Sequence, residues 1–239
     1  MAGRQDADLA KVMDRYVCVR IVQGWGLDLS LFQFDWRQTW MVFLMNGDRA
    51  IYGRYDARQA DDLVGLRKAL EGALELHEKW PANKAELAGK IGPAPRWKTP
   101  EEMPSIQRKG RVRPAEGKQG CIHCHNVIEG VNKSLKMLGE AVPERYSAPY
   151  PTPQRVGIML SSKERATITD VDKHSAAEKA GILEGDRIVR FGGQPVVSWA
   201  DVQWVLWTAD DAAPIKIEID RAGKPVEASL VLPSGWRSR

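Results

Sequence analysis

The chain has 239 residues, of which 43% are hydrophobic and 28% charged, and its formal net charge is +4. These values exclude global disorder and a membrane bundle, and the length accommodates two compact domains with a linker. The excess charge is local: Lys84 to Lys118 holds nine Lys or Arg against four Asp or Glu, and with no aromatic interleaving beyond Trp97 it reads as a solvated connector, with no nucleic acid among the expected partners.

Asp6 to Arg15 has the composition of a short helix. Tyr16 to Val22 (Y-V-C-V-R-I-V) has the β-branched density of a buried strand, with Cys18 as one of its small buried residues. Thr39 to Met45 and Ala50 to Tyr55 flank Asn46-Gly47-Asp48, which predicts a hairpin. Leu63, Leu66, Leu70, Leu74 and His77 recur at three- and four-residue spacing ahead of Pro81, which predicts an amphipathic helix. This order of helix, strand, hairpin and helix resembles the second half of the thioredoxin-like superfamily over Tyr16 to Trp80. The resemblance implies a truncated α/β domain over residues 1–80 without the redox C-x-x-C, and Gln38-Thr39-Trp40 stands where the family has Thr-Pro. A scaffold role is expected of it rather than thiol-disulfide exchange.

Repeated Pro steps between Trp80 and Gly120 resist a continuous helix. One short helix is expected at Asn83 to Lys90 and another at Val127 to Leu138, before the stiff hinge Ala148 to Pro153. Residues 81–154 thus read as a Pro-rich, basic linker carrying Cys121-Ile122-His123-Cys124-His125. The pattern is C-x-x-C-H, the attachment sequence of haem c. On one helical turn, cysteines three apart each form a thioether to a haem vinyl group, and the histidine directly after the second sits beneath the iron. One covalent haem c is therefore expected, anchored by Cys121 and Cys124 with His125 as proximal ligand. A redox dithiol formed by the two cysteines is one alternative. Zinc is another, although only His77 and His174 remain elsewhere to complete four ligands. His77, Met103, Met137 and His174 are the candidates for the distal iron ligand, with Met137 preferred for its place near the motif.

In the last third, Val156 to Leu160 (V-G-I-M-L) and Ala166 to Val171 (A-T-I-T-D-V) read as strands. Ser175 caps a short helix that Gly181 ends, and Gly185-Asp186 and Gly192-Gly193 turn the chain around a strand at Arg187 to Phe191. Ser198 caps a helix over Trp199 to Thr208, and strands near Pro214 to Asp220 and Val226 to Leu232 follow. This segment resembles the PDZ domain in the strand order of bacterial periplasmic proteases, so residues 155–239 are expected to form a PDZ β-sandwich with two helices. The resemblance implies that a protein's C-terminal or internal peptide adds as a strand beside Arg155, Val156, Gly157, Ile158, Met159 and Leu160. Backbone N–H groups near the start of that strand would hold its carboxylate, and Val202, Val205 and Leu206 would floor the pocket for its last side chain. Trp199, Trp204 and Trp207 on one short helix predict that at least one is exposed or covered by a partner.

No G-x-S-x-G or comparable nucleophile motif occurs, so the chain is not read as a protease and no enzyme activity is expected. No apolar run approaches the roughly 20 residues of a transmembrane segment, and Met1 to Leu9 lacks the apolar core of a signal peptide. In order, the expected chain is α+β: a partial thioredoxin-like α/β domain, a Pro-rich basic linker with the haem-motif helix, and a PDZ sandwich. The arrangement resembles a group of bacterial proteins with thioredoxin-like and PDZ parts, which implies export to the periplasm. A signal peptide would then lie outside the sequence at hand. The expected function is a monohaem c-type electron-transfer or redox-sensing protein, docked through its PDZ module and served by a redox partner protein. The alternative is a non-catalytic PDZ adaptor whose C-x-x-C is a thiol switch or metal site.

Overall fold

A computed structural model describes residues 6–56, 63–108, 121–210 and 213–238. The fold is mixed α+β and divides into two compact units that alternate along the sequence. Met1–Val17, Val42–Lys90 and Tyr150–Arg239 make one unit, and Cys18–Met41 with Ile91–Pro149 make the other. These divisions do not follow the expected boundaries at residues 80 and 154, because the apolar faces that bury one another come from distant stretches of chain.

In the first unit, Asp6 caps helix α1 (Ala7–Met13) by accepting from the N–H groups of Asp8 and Leu9. The hairpin strands β1 (Met41–Met45) and β2 (Ile51–Asp56) form where the Asn46-Gly47-Asp48 turn predicts them. Helix α2 (Leu63–His77) packs its Ala69, Leu70 and Ala73 against Leu9, Leu44, Tyr52 and Tyr55. The strand expected at Tyr16 to Val22 is not formed. Residues 17–22 have no regular structure, Val17 is 93% and Val19 80% exposed, and Cys18 is exposed rather than buried. β-branched residues favour a strand only when a neighbouring strand accepts their backbone groups, and the sheet of β1 and β2 has two strands.

After the short helix α3 (Lys84–Leu87) and a 3-10 turn, the chain leaves this unit. The second unit contains α4 (Pro104–Arg108), α5 (Cys124–Met137) and α6 (Glu144–Ser147). Trp25, Leu29, Trp97, Met103, Ile106, Ile122, Val127 and Leu135 form its core. Much of the segment expected to be a solvated connector is therefore folded: an apolar residue every few positions suffices to seat the proline-broken chain. Helices α4 and α5 approach closely, with Ser105 Oγ donating to the Gly130 carbonyl at 2.9 Å. A Cβ at Gly130 would stand 2.8 Å from Met103 Sδ.

The chain then returns to the first unit. Strands β3 (Ile158–Leu160) and β4 (Ile168–Val171) pair antiparallel, and β5 (Arg187–Phe191), β6 (Gln194–Pro195), β7 (Ile215–Arg221) and β8 (Lys224–Leu230) form a second sheet in the order β6-β5-β7-β8. Helix α7 (Ala176–Lys179) is capped by Ser175, and Gly181 follows it at φ +75, as the sequence predicts. Helix α8 (Trp199–Thr208) is capped by Ser198. Alternate residues of β7, Ile215, Ile217 and Ile219, are buried with Ile158, Ile188, Phe191, Val202, Leu206 and Leu230 in one core. Each such side chain contributes roughly 1.5–3 kcal/mol on leaving water.

Candidate functional site

The expected peptide edge begins at Gly157, which closes a 3-10 turn over Pro153–Val156 at φ +85. A Cβ there would lie 2.1 Å from Ser175 Cβ, so conformation and space both require glycine. The Gly157 carbonyl accepts from the Asp172 N–H at 3.0 Å, and the Ser161 N–H donates to the Thr167 carbonyl at 2.8 Å. Residues 157, 159 and 161 therefore turn their backbone groups toward β4, and by alternation Ile158 and Leu160 turn theirs away. Among the described residues no other strand lies along that second edge. Arg155 is exposed, Val156, Gly157 and Ile158 are buried, and Met159 and Leu160 are half-buried. Val202, Val205 and Leu206 are buried in the same core as Val156 and Ile158, with Leu160 packed against it, so the structure brings these three edge residues together with the expected floor residues.

The outer face of α8 is covered by the chain itself. Trp204 Nε1 donates to the Gly89 carbonyl at 2.8 Å, and the Arg54 guanidinium stands 3.9 Å over the Trp204 ring. Trp207 stacks on Tyr150 with centroids 4.3 Å apart. Trp199 is also buried. The tryptophans thus need no outside partner to cover them.

Beneath Trp204 lies a charged cluster that sequence reading missed. Asp201 accepts from the Arg54 backbone N–H at 3.2 Å and from the Val197 N–H at 3.0 Å, and forms an ion pair with Lys90 Nζ at 2.7 Å. The Arg54 side chain donates to the Lys90 carbonyl at 2.6 Å, and Ser198 Oγ donates to the Arg54 carbonyl. Burial lowers the Arg54 pKa to about 10 and also lowers that of Lys90, with the Asp201 charge opposing both. One cation of the supposedly solvated basic stretch is thus sealed inside. No short-range pattern signals this, because the Asp201 that faces Arg54 and Lys90 lies in another third of the chain.

In the second unit, Cys124 and His125 open α5, Cys121 stands just ahead of it, and Ile122 points into the core. Cys121 and His125 are exposed, Cys124 is half-buried, and the rings of His123 and His125 stack with centroids 5.8 Å apart. The Ile122 carbonyl accepts from the Gly24 N–H at 2.8 Å, fixing the motif's backbone. Burial pushes the Cys124 thiol up from its ordinary pKa. The donor set suits covalent haem: two reachable thiols three residues apart and an accessible imidazole directly after them. Met137 does not fit as the distal ligand. It lies twelve residues beyond His125 on one continuous helix, which is about 18 Å of rise, whereas axial ligands grip one iron from opposite sides within a few ångström. Among the other candidates, Met103 is fully buried against Gly130, and His77 Nδ1 lies 2.8 Å from the Tyr52 hydroxyl. Among the described residues no cluster of three or more His, Cys, Asp or Glu is arranged to hold a metal ion. No described helix is long and apolar enough to cross a membrane. The residues just before the motif, 109–120, lie outside the described part.

Residues 152–232 match the PDZ domain family. The regulator of sigma-E protease RseP of Escherichia coli K12 is 38% identical over 65 residues, which are 27% of this chain and 14% of that protein. The putative zinc metalloprotease of Vibrio cholerae is 34% identical over 64 residues, again 27% and 14%. The periplasmic pH-dependent serine endoprotease DegQ of E. coli K12 is 29% identical over 79 residues, covering 33% and 17%. The chain thus spans about a seventh of the length of the first two of these relatives. Among solved structures, the HtrA3 PDZ domain bound to a phage-derived ligand is 26% identical over 27% of this chain and 59% of that one, at a TM-score of 0.25. The serine endoprotease of Yersinia pestis is 17% identical over 49% and 39%, at 0.31. The last third of the chain is a PDZ domain of the bacterial HtrA and RseP type.

Proposed function

We infer that the chain is a docking protein that takes a protein tail as an added strand along β3, and that its second unit carries the Cys121-x-x-Cys124-His125 cluster as a covalent haem c site. One observation carries the docking role: β3 has one edge paired with β4 and, among the described residues, no strand along the other, directly after the Gly157 turn. An extended peptide laid there gains backbone hydrogen bonds from Ile158 and Leu160. The test is hydrogen exchange of the full chain with a tail peptide selected from a library displayed with free C-termini. Slowed exchange at residues 158 and 160 is expected. Slowing confined to other segments would refute the site.

In the haem site, Cys121 and Cys124 would form the thioethers and His125 would supply the imidazole. A bound haem supplies one-electron redox chemistry. Electron transfer or redox sensing, with a redox partner protein, is the task proposed for this unit. A periplasmic location accords with haem attachment and with the location of DegQ. A pyridine haemochrome spectrum of the denatured chain, made in an export and haem-ligation host, tests the site. A covalent c-type band is expected. Its absence, with a control cytochrome matured in the same cells, would refute haem.

A further inference from the structure

The Cys121-Ile122-His123-Cys124-His125 run is clamped at its second residue. The Gly24 N–H donates to the Ile122 carbonyl at 2.8 Å, and a Cβ at Gly24 would stand 3.1 Å from both that oxygen and Ile122 Cγ2, so the two stretches of chain touch. Downstream of the clamp the chain is fixed twice more. The Gly26 N–H donates to both Glu101 carboxylate oxygens at 2.9 and 3.1 Å, and the Leu29 N–H donates to the Lys98 carbonyl at 2.8 Å. Apolar side chains on this side go inward, Trp25 and Leu29 joining Ile122 in the core of the second unit. Upstream the pattern reverses. Val19 is 80%, Ile21 53% and Val22 67% exposed, Cys18 and Arg20 are exposed too, and none of the five lies in a helix or strand. Three β-branched side chains within four residues form a contiguous apolar patch, which marks a place where something binds. Two residues of extended chain reach at most about 7 Å and five about 18 Å, so Val22 stands beside the cysteine motif and Val19 lies within reach of it.

A haem on Cys121 and Cys124 presents an apolar macrocycle with two anionic propionates at its rim. The segment has the complementary chemistry, β-branched side chains around one cation, Arg20. We propose that Cys18 to Val22 is the cover of that haem, laid over one face of the porphyrin to shut water from it, with Arg20 on a propionate. This rests on the haem site proposed above. The cover accounts for a strand-like sequence that pairs with no strand among the described residues, and for a clamp that ties the segment's end to the middle of the attachment motif. Shutting water from the ring raises the reduction potential, because the ferric form carries the additional positive charge.

The test compares the full chain matured in an export and haem-ligation host with the same chain made without haem and kept reduced. The chain has three cysteines, and the thioethers consume two of them, so Cys18 is the thiol that remains. Its alkylation by iodoacetamide, read on its own peptide by mass spectrometry, should slow at least tenfold in the haem-loaded chain. Val19→Asp combined with Val22→Asp should keep the covalent band, restore fast alkylation of Cys18 and lower the midpoint potential. Alkylation rates within twofold of each other when the covalent band is present, or an unchanged potential in the double variant, would overturn the cover. Slowing in the haem-free chain that grows with its concentration would assign the segment to a second copy of the chain instead. Absence of the covalent band would refute the haem site itself, and the cover with it.

Discussion

Lys90 Nζ lies 2.7 Å from Asp201 Oδ1, and both side chains are 1% exposed. The pair joins the turn after α3 to the first turn of α8, and the Asp201 charge also favours the charged form of the buried Arg54, whose backbone N–H donates to the same carboxylate. One buried anion thus serves two buried cations.

Removing that anion leaves the buried Lys90 ammonium without its counter-charge and takes away the negative charge that favours charged Arg54. Asp201→Asn should destabilise the first unit by about 3–5 kcal/mol, read as a lower urea midpoint. Replacing Asp201 and Lys90 together with Asn and Met should cost less than Asp201→Asn alone, because one orphaned charge is then removed. Equal midpoints for wild type and Asp201→Asn would contradict the burial of this cluster.

Gly65→Ala adds helix propensity yet should destabilise. The new methyl meets a backbone carbonyl at 2.0 Å, and forced overpacking costs about 1–3 kcal/mol, more than the gain of about 1 kcal/mol. At Gly47, where a Cβ meets nothing within 4 Å, alanine introduces no such clash. A Gly65→Ala chain more stable than wild type would show that α2 does not press on Ser162.

Asp186 is buried, and while burial raises its pKa, the Arg221 fork at 2.7 and 2.8 Å and the Leu183 N–H together hold it below the usual carboxylate range. Its contribution is present above the unfolded carboxylate pKa, roughly 3.9, and disappears as pH falls through the lower folded value. Asp186→Asn should therefore lower stability at pH 7 by about 2 kcal/mol, and the gap to wild type should narrow below about pH 4. Thermal melts across that range check it. A gap independent of pH would remove the charge from the explanation.

Cys124→Ala should abolish the two-thioether haem band, whereas Met137→Leu should leave the spectrum and midpoint potential unchanged, since the helix keeps Met137 remote from His125. A potential that moved in Met137→Leu would mean that α5 unwinds when haem binds.

The PDZ elements were legible because their signals are local: Ser caps, glycines at positive φ and period-two isoleucines each act within a few residues. The hairpin at Asn46-Gly47-Asp48 and helix α2 were legible for the same reason. What failed was non-local. The strand at Tyr16 to Val22 needed a neighbour that does not lie beside it, and the basic stretch hid a lysine whose counter-charge is in α8. The glycines at 65 and 72 were a visible signal, since two glycines on one helix face announce a close approach, but the sequence does not name what approaches.

The hydrogen bond from Arg54 to Asp201 spans 147 positions, which has a consequence for biosynthesis. The β2 strand leaves the ribosome long before the helix that will cover it, and all six of its residues end up buried. Throughout that interval its apolar surface must be shielded by a chaperone or by provisional contacts, and such long-range closure is slow. Translation stalled just before Trp199 should therefore leave nascent chains that are highly sensitive to protease, and release of the last forty or so residues should trigger protection of β2 and α8 together.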